Sequence, residues 1–195
     1  SGNCELPWLL NAPLLNRQGA PYLTLTSADP VADLPGRLRS TVKRTAKRLA
    51  RSGFEPRMAP TTEAERALEV LLRLHDHRWQ DRSSWSASNA TLKGTLLAGL
   101  RCGGAVIHEI TDGEMVIASE IELLAGRRAA FYQAGRLTDK EFRGSGSVLK
   151  AEVLRWAARE DLTEFDLLRG DDGYKDDWSN ARREVRRVRT GYGLV

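Results

Sequence analysis

Cysteine is nearly missing from this chain: Cys4 and Cys102 are the only two, far apart, with no second sulfur or histidine at ligand spacing from either. That excludes a disulfide framework and a structural metal site, so no metal is expected, and it fits a reducing, cytoplasmic compartment. No apolar run approaches the ~20 residues that cross a bilayer, so no membrane span is expected. Pro7-Trp8-Leu9-Leu10 is brief and lacks a basic segment before it, so no secretory signal is expected. Internal repeats and low-complexity tracts are absent too. The chain opens on Ser1-Gly2 rather than Met, as expected of a trimmed chain with something upstream. Charge is not extreme: 30 Lys and Arg against 26 Asp and Glu leave a formal +4. So small an excess suits an anionic ligand and does not by itself call for nucleic acid.

What is present is enough for one α/β core: 195 residues, 41% hydrophobic and 29% charged. Residues 1–20 carry Pro7, Pro13 and Gly19 without a helical or strand period, and read as a linker or the remnant of an upstream domain. The domain proper is expected over 21–195, opening with a strand at 21–26. Leu34, Leu38, Val42, Thr45, Ala46 and Leu49 then recur at helical spacing, with Gly53 as the stop. Around that stripe stand Arg37, Arg39, Lys43, Arg44, Lys47, Arg48 and Arg51 with no acidic residue among them. This is either a solvated helix side or a polyanion-binding face.

A second helix opens on a capping box, Thr62-x-x-Glu65, and buries Ala64, Ala67, Leu68, Leu71, Leu72, His75 and Trp79. His75 and His77 stand two apart, on nearly opposite sides of the helix, and cannot share an ion. After a Ser-rich loop at 83–89 and a helix at 92–100, three strands are predicted at 105–110, 115–123 and 129–134. Asp112-Gly113 and Ala125-Gly126 make the turns of an antiparallel meander. Arg143-Gly144-Ser145-Gly146-Ser147 then leads into a helix over 148–160, followed by a strand at 163–168, a short helix at 174–178 and a closing strand. The order implies one mixed, mostly antiparallel sheet flanked by helices, of class α/β (α+β).

Two stretches carry chemistry. In the first, Gly144 and Gly146 let the backbone bend with N–H groups facing one way, and the helix behind adds its positive end, a seat for a pyrophosphate. In the second, Phe165-Asp166-Leu167-Leu168-Arg169-Gly170-Asp171-Asp172-Gly173-Tyr174-Lys175-Asp176-Asp177-Trp178, ionisable groups crowd between an apolar strand and an aromatic anchor. Asp166 alternates with apolar neighbours, so it either ends the sheet at a polar cleft or is buried and paired with Arg169 or Lys175. No Ser-His-Asp or Cys-His arrangement is suggested, and Cys102 reads as structural.

That second segment resembles the signature that ends the acetyltransferase domain of CelD-like polysaccharide-biosynthesis proteins, a branch of the GNAT superfamily near the FemAB-like transferases. The basic helix before Gly53, Leu74-His75-Asp76-His77-Arg78-Trp79 and Gly146-Ser147-Val148-Leu149-Lys150-Ala151-Glu152 match in the same order, so the resemblance covers about residues 21–180. It implies a GNAT fold and a donor, acetyl-CoA or another acyl-CoA, whose pyrophosphate sits on Arg143, Gly144, Ser145, Gly146, Ser147 and Val148. Val148 departs from the superfamily's Gly or Ala at that place. It implies Tyr174 as the acid that protonates the departing thiolate, with Gly173 where the family commonly has Pro. For the base, Asp166 comes first, with Glu120 and Glu122 behind it; those two share one strand face, which an exposed sheet face explains equally well. His75, Trp79, Tyr132, Arg169, Lys175 and Trp178 are the candidate substrate contacts. The resemblance implies a small-molecule or glycan-type acceptor and a second GNAT-like domain upstream. Taken literally, the FemAB kinship implies instead an aminoacyl-tRNA donor docked on the basic helix, and a third reading keeps the fold as an inactive polyanion-binding module.

Overall fold

The computed structural model describes residues 14–79, 90–170 and 173–188. Seven strands form one sheet: β1 (Leu14–Thr24), β2 (Glu55–Met58), β3 (Ala105–Thr111), β4 (Val116–Ala125), β5 (Arg128–Arg136), β6 (Glu164–Asp166) and β7 (Ala181–Val188). Their order is β2-β3-β4-β5-β6-β1-β7, and among the described residues only the β5–β6 pair is parallel. Four helices flank the sheet: α1 (Gly36–Arg51), α2 (Ala64–Trp79), α3 (Ala90–Arg101) and α4 (Ser145–Arg159).

The period-2 alternation of the meander distributes the helices. Ile107 and Ile121, opposite each other on β3 and β4, pack with Leu68 and Leu71 of α2 and Leu96 and Leu100 of α3. Their neighbours His108 and Glu120 point to the other face, where Trp156 and Lys150 of α4 meet them. α1 packs on α4 through Val42, and Leu49 joins Val148 and Leu149 in a second cluster.

Several elements differ from the sequence reading. The first strand starts at Leu14, not 21, because it pairs with β7 along most of its length, so residues 14–20 of the expected linker belong to the sheet; residues 1–13 lie outside the described residues, as does the Ser-rich loop at 83–89. β2 went unread: a short edge strand with Pro56 and a mostly exposed burial pattern carries little periodic signal. The capping box does not form. A 3-10 turn at Thr61–Glu63 leads into α2, and Glu65 pairs with Arg101 of α3 at 2.6 Å.

The strand expected at 163–168 is only three residues long. Asp166 Oδ1 accepts the Leu168 N–H at 2.7 Å, and Leu168 takes a left-handed φ of 58°. The chain thus turns off the sheet while Leu167 dives into the core. β6 therefore pairs with β5 only from Arg128↔Glu164 to Ala130↔Asp166, whereas β5 runs on to Arg136. Beyond Ala130 the two strands separate and leave one edge of β5 without a neighbouring strand.

Gly135 fixes where α2 crosses that free stretch of β5. A Cβ there would lie 2.3 Å from His75 N and 2.5 Å from Leu74 C, both backbone atoms. Gly135→Ala is expected to destabilise the fold by about 3 kcal/mol, the upper end of overpacking costs. Urea unfolding of the variant, compared with Gly146→Ala, whose Cβ meets only the Arg136 side chain at 3.5 Å, checks this.

Candidate active site

The separation of β5 and β6 opens a cleft of about 350 Å3. Phe131, Ala134, Gly135 and Arg136 of β5 form one wall, with Glu120 of β4 and Lys150 of α4 beneath; Tyr174, Asp177 and Trp178 line it as well. The Gly-rich bend closes one end with Arg143, Gly144, Gly146 and Ser147, beside Leu38 of α1 and Arg78 of α2. The two segments singled out in the sequence therefore share one groove.

The bend is tighter than expected, because α4 begins at Ser145 rather than 148. Gly144 caps it in the left-handed region, φ 87°, and a Cβ there would press on Thr45 at 3.2 Å. The first N–H groups of a helix have no intrahelical acceptor, and here they carry the helix's positive end into the cleft. Arg48 of α1 donates to the carbonyls of Glu141 and Arg143 and so ties the approach to the bend. Ser145 is buried with an unpartnered hydroxyl oxygen, and Val148 packs into the core with Leu49 and Phe142. Of the six residues expected on the pyrophosphate, four line the cleft and two lie behind it.

Three guanidiniums surround this end: Arg78 at the end of α2, Arg136 at the end of β5 and Arg143 on the bend. Among the described residues none of them has a carboxylate partner. Burial, then the neighbouring Arg136, hold Arg78 below its ordinary value, with Tyr174 opposing. Two cations left facing each other beside a helix N-terminus make a site whose charge an anion would balance. Arg78 and Arg136 were not read as site residues in the sequence; each stands at the last turn or end of its element, where a basic residue is commonplace.

On the cleft floor lies a buried charge cluster. Glu120 Oε1 meets Lys150 Nζ at 3.0 Å, and the ammonium sits 3.4 Å from the centre of the Phe131 ring. Glu122 lies beside Glu120, with its Oε2 2.8 Å from His108 Nδ1. Both carboxyls are fully buried, which rules out the exposed-face explanation. Burial pushes both up from their ordinary value; Lys150 pulls both back, Glu122 pushes Glu120 further up by its charge and hydrogen bond, and the same bond pulls Glu122 back. Burial pushes His108 down to about 4.

The remaining candidates are spread out. Asp166 does not line the cleft: one oxygen caps the turn at Leu168 and the other lies 3.9 Å from Arg183. His75 is buried between α2 and β5, its Nδ1 3.2 Å from the Ala134 carbonyl. Trp79 is exposed under the Arg78 guanidinium. Tyr132 packs against the α2–α3 cluster on the opposite face. Lys175 is buried and donates to the carbonyl of the exposed Arg169 at 2.9 Å. Tyr174, half exposed, and Trp178, buried, reach the cleft. Among the described residues no group of side chains could hold a metal ion.

The sequence profile of the Acetyltransferase (GNAT) domain matches residues 36–176. The chain belongs to the GNAT acetyltransferase domain family. The fold is shared with solved structures of low identity. FemX aligns with a TM-score of 0.63 at 8% identity, over 85% of this chain and 59% of that one. The C-terminal domain of a putative lysylphosphatidylglycerol synthetase from Agrobacterium fabrum gives 0.63 at 14%, over 90% and 62%. L-PGS from Bacillus licheniformis gives 0.61 at 12%, over 91% and 61%. The chain thus spans about three-fifths of the length of these structures. No curated protein sequence matches it. No helix of the described residues is long and apolar enough to cross a membrane.

The cluster makes the GNAT domain's stability depend on pH. As a pair, the two carboxyls keep a proton in the folded state at pH values where the unfolded chain, at 4.5, has lost it. Their contribution is complete below 4.5 and is lost as pH rises through the raised folded values. His108 has the opposite sign: its contribution is complete above 6.5 and is lost as pH falls towards about 4. Thermal unfolding from pH 6 to 9 is expected to show a falling Tm that is flatter in Glu120→Gln/Glu122→Gln. Parallel curves would contradict the assignment.

Proposed function

We propose that this GNAT domain is an acyl-CoA-dependent N- or O-acyltransferase acting on a small-molecule or glycan-type acceptor. The observation that carries the reading is the union, in one cleft, of the helix-capped bend, three guanidiniums that have no carboxylate partner among the described residues, a tyrosine and a buried carboxylate. These residues fit a diphosphate-bearing donor: the Gly146 amide at the helix's positive end and Arg78, Arg136 and Arg143 would hold the diphosphate. Bound acyl-CoA would supply a thioester carbonyl open to attack by the acceptor.

This chain's residues would do the rest. The free edge of β5 beyond Ala130 offers backbone N–H groups towards the reacting carbonyl. Glu120, the carboxylate that lines the cleft, takes the acceptor proton in place of Asp166, and Tyr174 gives a proton to the sulfur as the carbon–sulfur bond breaks. Tyr174 is then reprotonated from solvent. The CelD-like resemblance of 165–178 supports a polysaccharide or cell-envelope precursor as acceptor. The longer relatives support a companion domain, in line with the one expected upstream.

One observation favours a second reading, an aminoacyl-tRNA donor. The seven basic residues of α1 are all exposed, and the helix flanks the bend through Leu38, Thr45 and Arg48. The two readings separate on salt, since a nucleic-acid donor loses affinity steeply as counterions are released.

Thermal shift with acetyl-CoA, longer acyl-CoAs and CoA tests the first reading. Ligand at about 100 times its Kd adds roughly 2.7 kcal/mol, or about 5–10 °C for a domain of this size. Arg136→Gln is expected to weaken CoA binding about tenfold or more. Tyr174→Phe is expected to keep the shift and lower turnover about 100-fold. No shift with any of these ligands would refute the reading.

A further inference from the structure

Lys150, Glu120, Glu122 and His108 form a continuous line from the cleft floor into the core. All four are buried, at 5%, 1%, 0% and 3% exposure. Two carboxyls share one ammonium, so a single additional proton makes the group neutral. In a medium that penalises net charge that proton is held. What matters for chemistry is which carboxyl holds it.

The surroundings of the two carboxyls differ. Glu120 has the Lys150 ammonium at 3.0 Å, which favours its ionised form. Glu122 has a neutral imidazole nitrogen at 2.8 Å, which can accept a hydrogen bond from a protonated carboxyl. His108 is kept neutral by its burial, against the edge of the Trp156 ring at a centroid distance of 4.8 Å. Glu152 and Arg159 of α4 are the other charged groups that act on it, with opposite effects, along with Glu120 and Lys150. The Glu122 Oε1 and His108 Nε2 atoms are both buried without a hydrogen-bond partner. Their bond to each other is the hydrogen bond that the His108 side chain makes among the described residues, while Glu122 also meets Glu120 and its own backbone amide.

We infer that Glu122 carries the shared proton and donates it to His108 Nδ1, so that Glu120 faces the cleft as a carboxylate held by Lys150. Glu122 and His108 are positioning residues: neither lines the cleft, and they act by keeping the proton off Glu120. When Glu120 takes the acceptor proton, the cluster gains one positive charge and returns that proton to solvent through the cleft. This inference rests on the acyltransferase reading for its kinetic consequence, but not for the location of the proton.

Two measurements test it. The first is infrared spectroscopy of the ligand-free protein at neutral pH, which reads the carbonyl stretch of a protonated buried carboxyl. The band is expected in the wild type and lost in Glu122→Gln, where Glu120 alone faces Lys150. A band that is absent from the wild type, or whose frequency is unchanged in His108→Asn, where the acceptor of the Glu122 proton is replaced, overturns the inference. The second is the pH dependence of kcat/KM with acetyl-CoA. Removing the imidazole acceptor in His108→Phe returns the proton to Glu120 and moves the base limb up by about one pH unit; Glu122→Gln moves it down by a similar amount. His108→Asn, which keeps an acceptor near the Nδ1 position, is expected to shift less than His108→Phe, and it replaces that variant if His108→Phe does not fold. Shifts of the same sign in Glu122→Gln and the His108 variants overturn the assignment. If no acyl-CoA turnover occurs at all, the reading of the preceding subsection fails while the infrared band still decides this one.

Discussion

The site exists because β5 and β6 stay together for only three residues. A parallel pair that continued would fill the edge of β5 with hydrogen bonds and leave no groove. Asp166 ends the partnership by accepting the Leu168 backbone N–H on its side-chain oxygen, an exchange that satisfies the chain where the ladder stops. On the opposite side, β5 carries an extra residue at Tyr132, between the pairs Ile121↔Gln133 and Glu122↔Phe131. Such a bulge increases local twist and turns the strand away from its neighbours. A carboxylate that resembled a catalytic base in the sequence is thus a structural element of the cleft.

The cleft separates two electrostatic tasks. Its mouth gathers positive charge: a helix N-terminus with Arg78, Arg136 and Arg143. Its floor is close to neutral, with acids and an ammonium paired in the interior. Charge at a solvent-facing mouth draws an anion from a distance and is tolerated because water and salt screen it. Charge on the floor must be compensated residue by residue, because nothing there screens it. A donor with a diphosphate at one end and an uncharged reactive group at the other matches that division.

Much of the fold was legible in the sequence. The meander, the helix after the Gly-rich bend, and the order of elements followed from periodicities and turn residues that act locally. Short pairings escaped: β2 has no alternation, and the beginning of β1 shows itself only through β7. At the site, the bend and Tyr174 were visible because their chemistry is written in adjacent residues. Glu120 and Glu122 were seen as sharing a face, but their burial depends on α4 covering that face, and Lys150 and His108 come from positions 30 and 14 residues away. Arg78 and Arg136 lay beyond reach for the same reason. His75 and Tyr132, chosen for their types, belong to the packing of α2 on the sheet.

The central claim is that a diphosphate sits on the bend while the reactive end of the donor lies in the opening between β5 and β6. A crystal structure of the protein with CoA tests it most directly. The account predicts the diphosphate within hydrogen-bond distance of the Gly146 amide and of Arg78 or Arg136, with the thiol beside the Tyr174 hydroxyl. CoA bound along the outer face of α1, or with its thiol outside the β5–β6 opening, would contradict it.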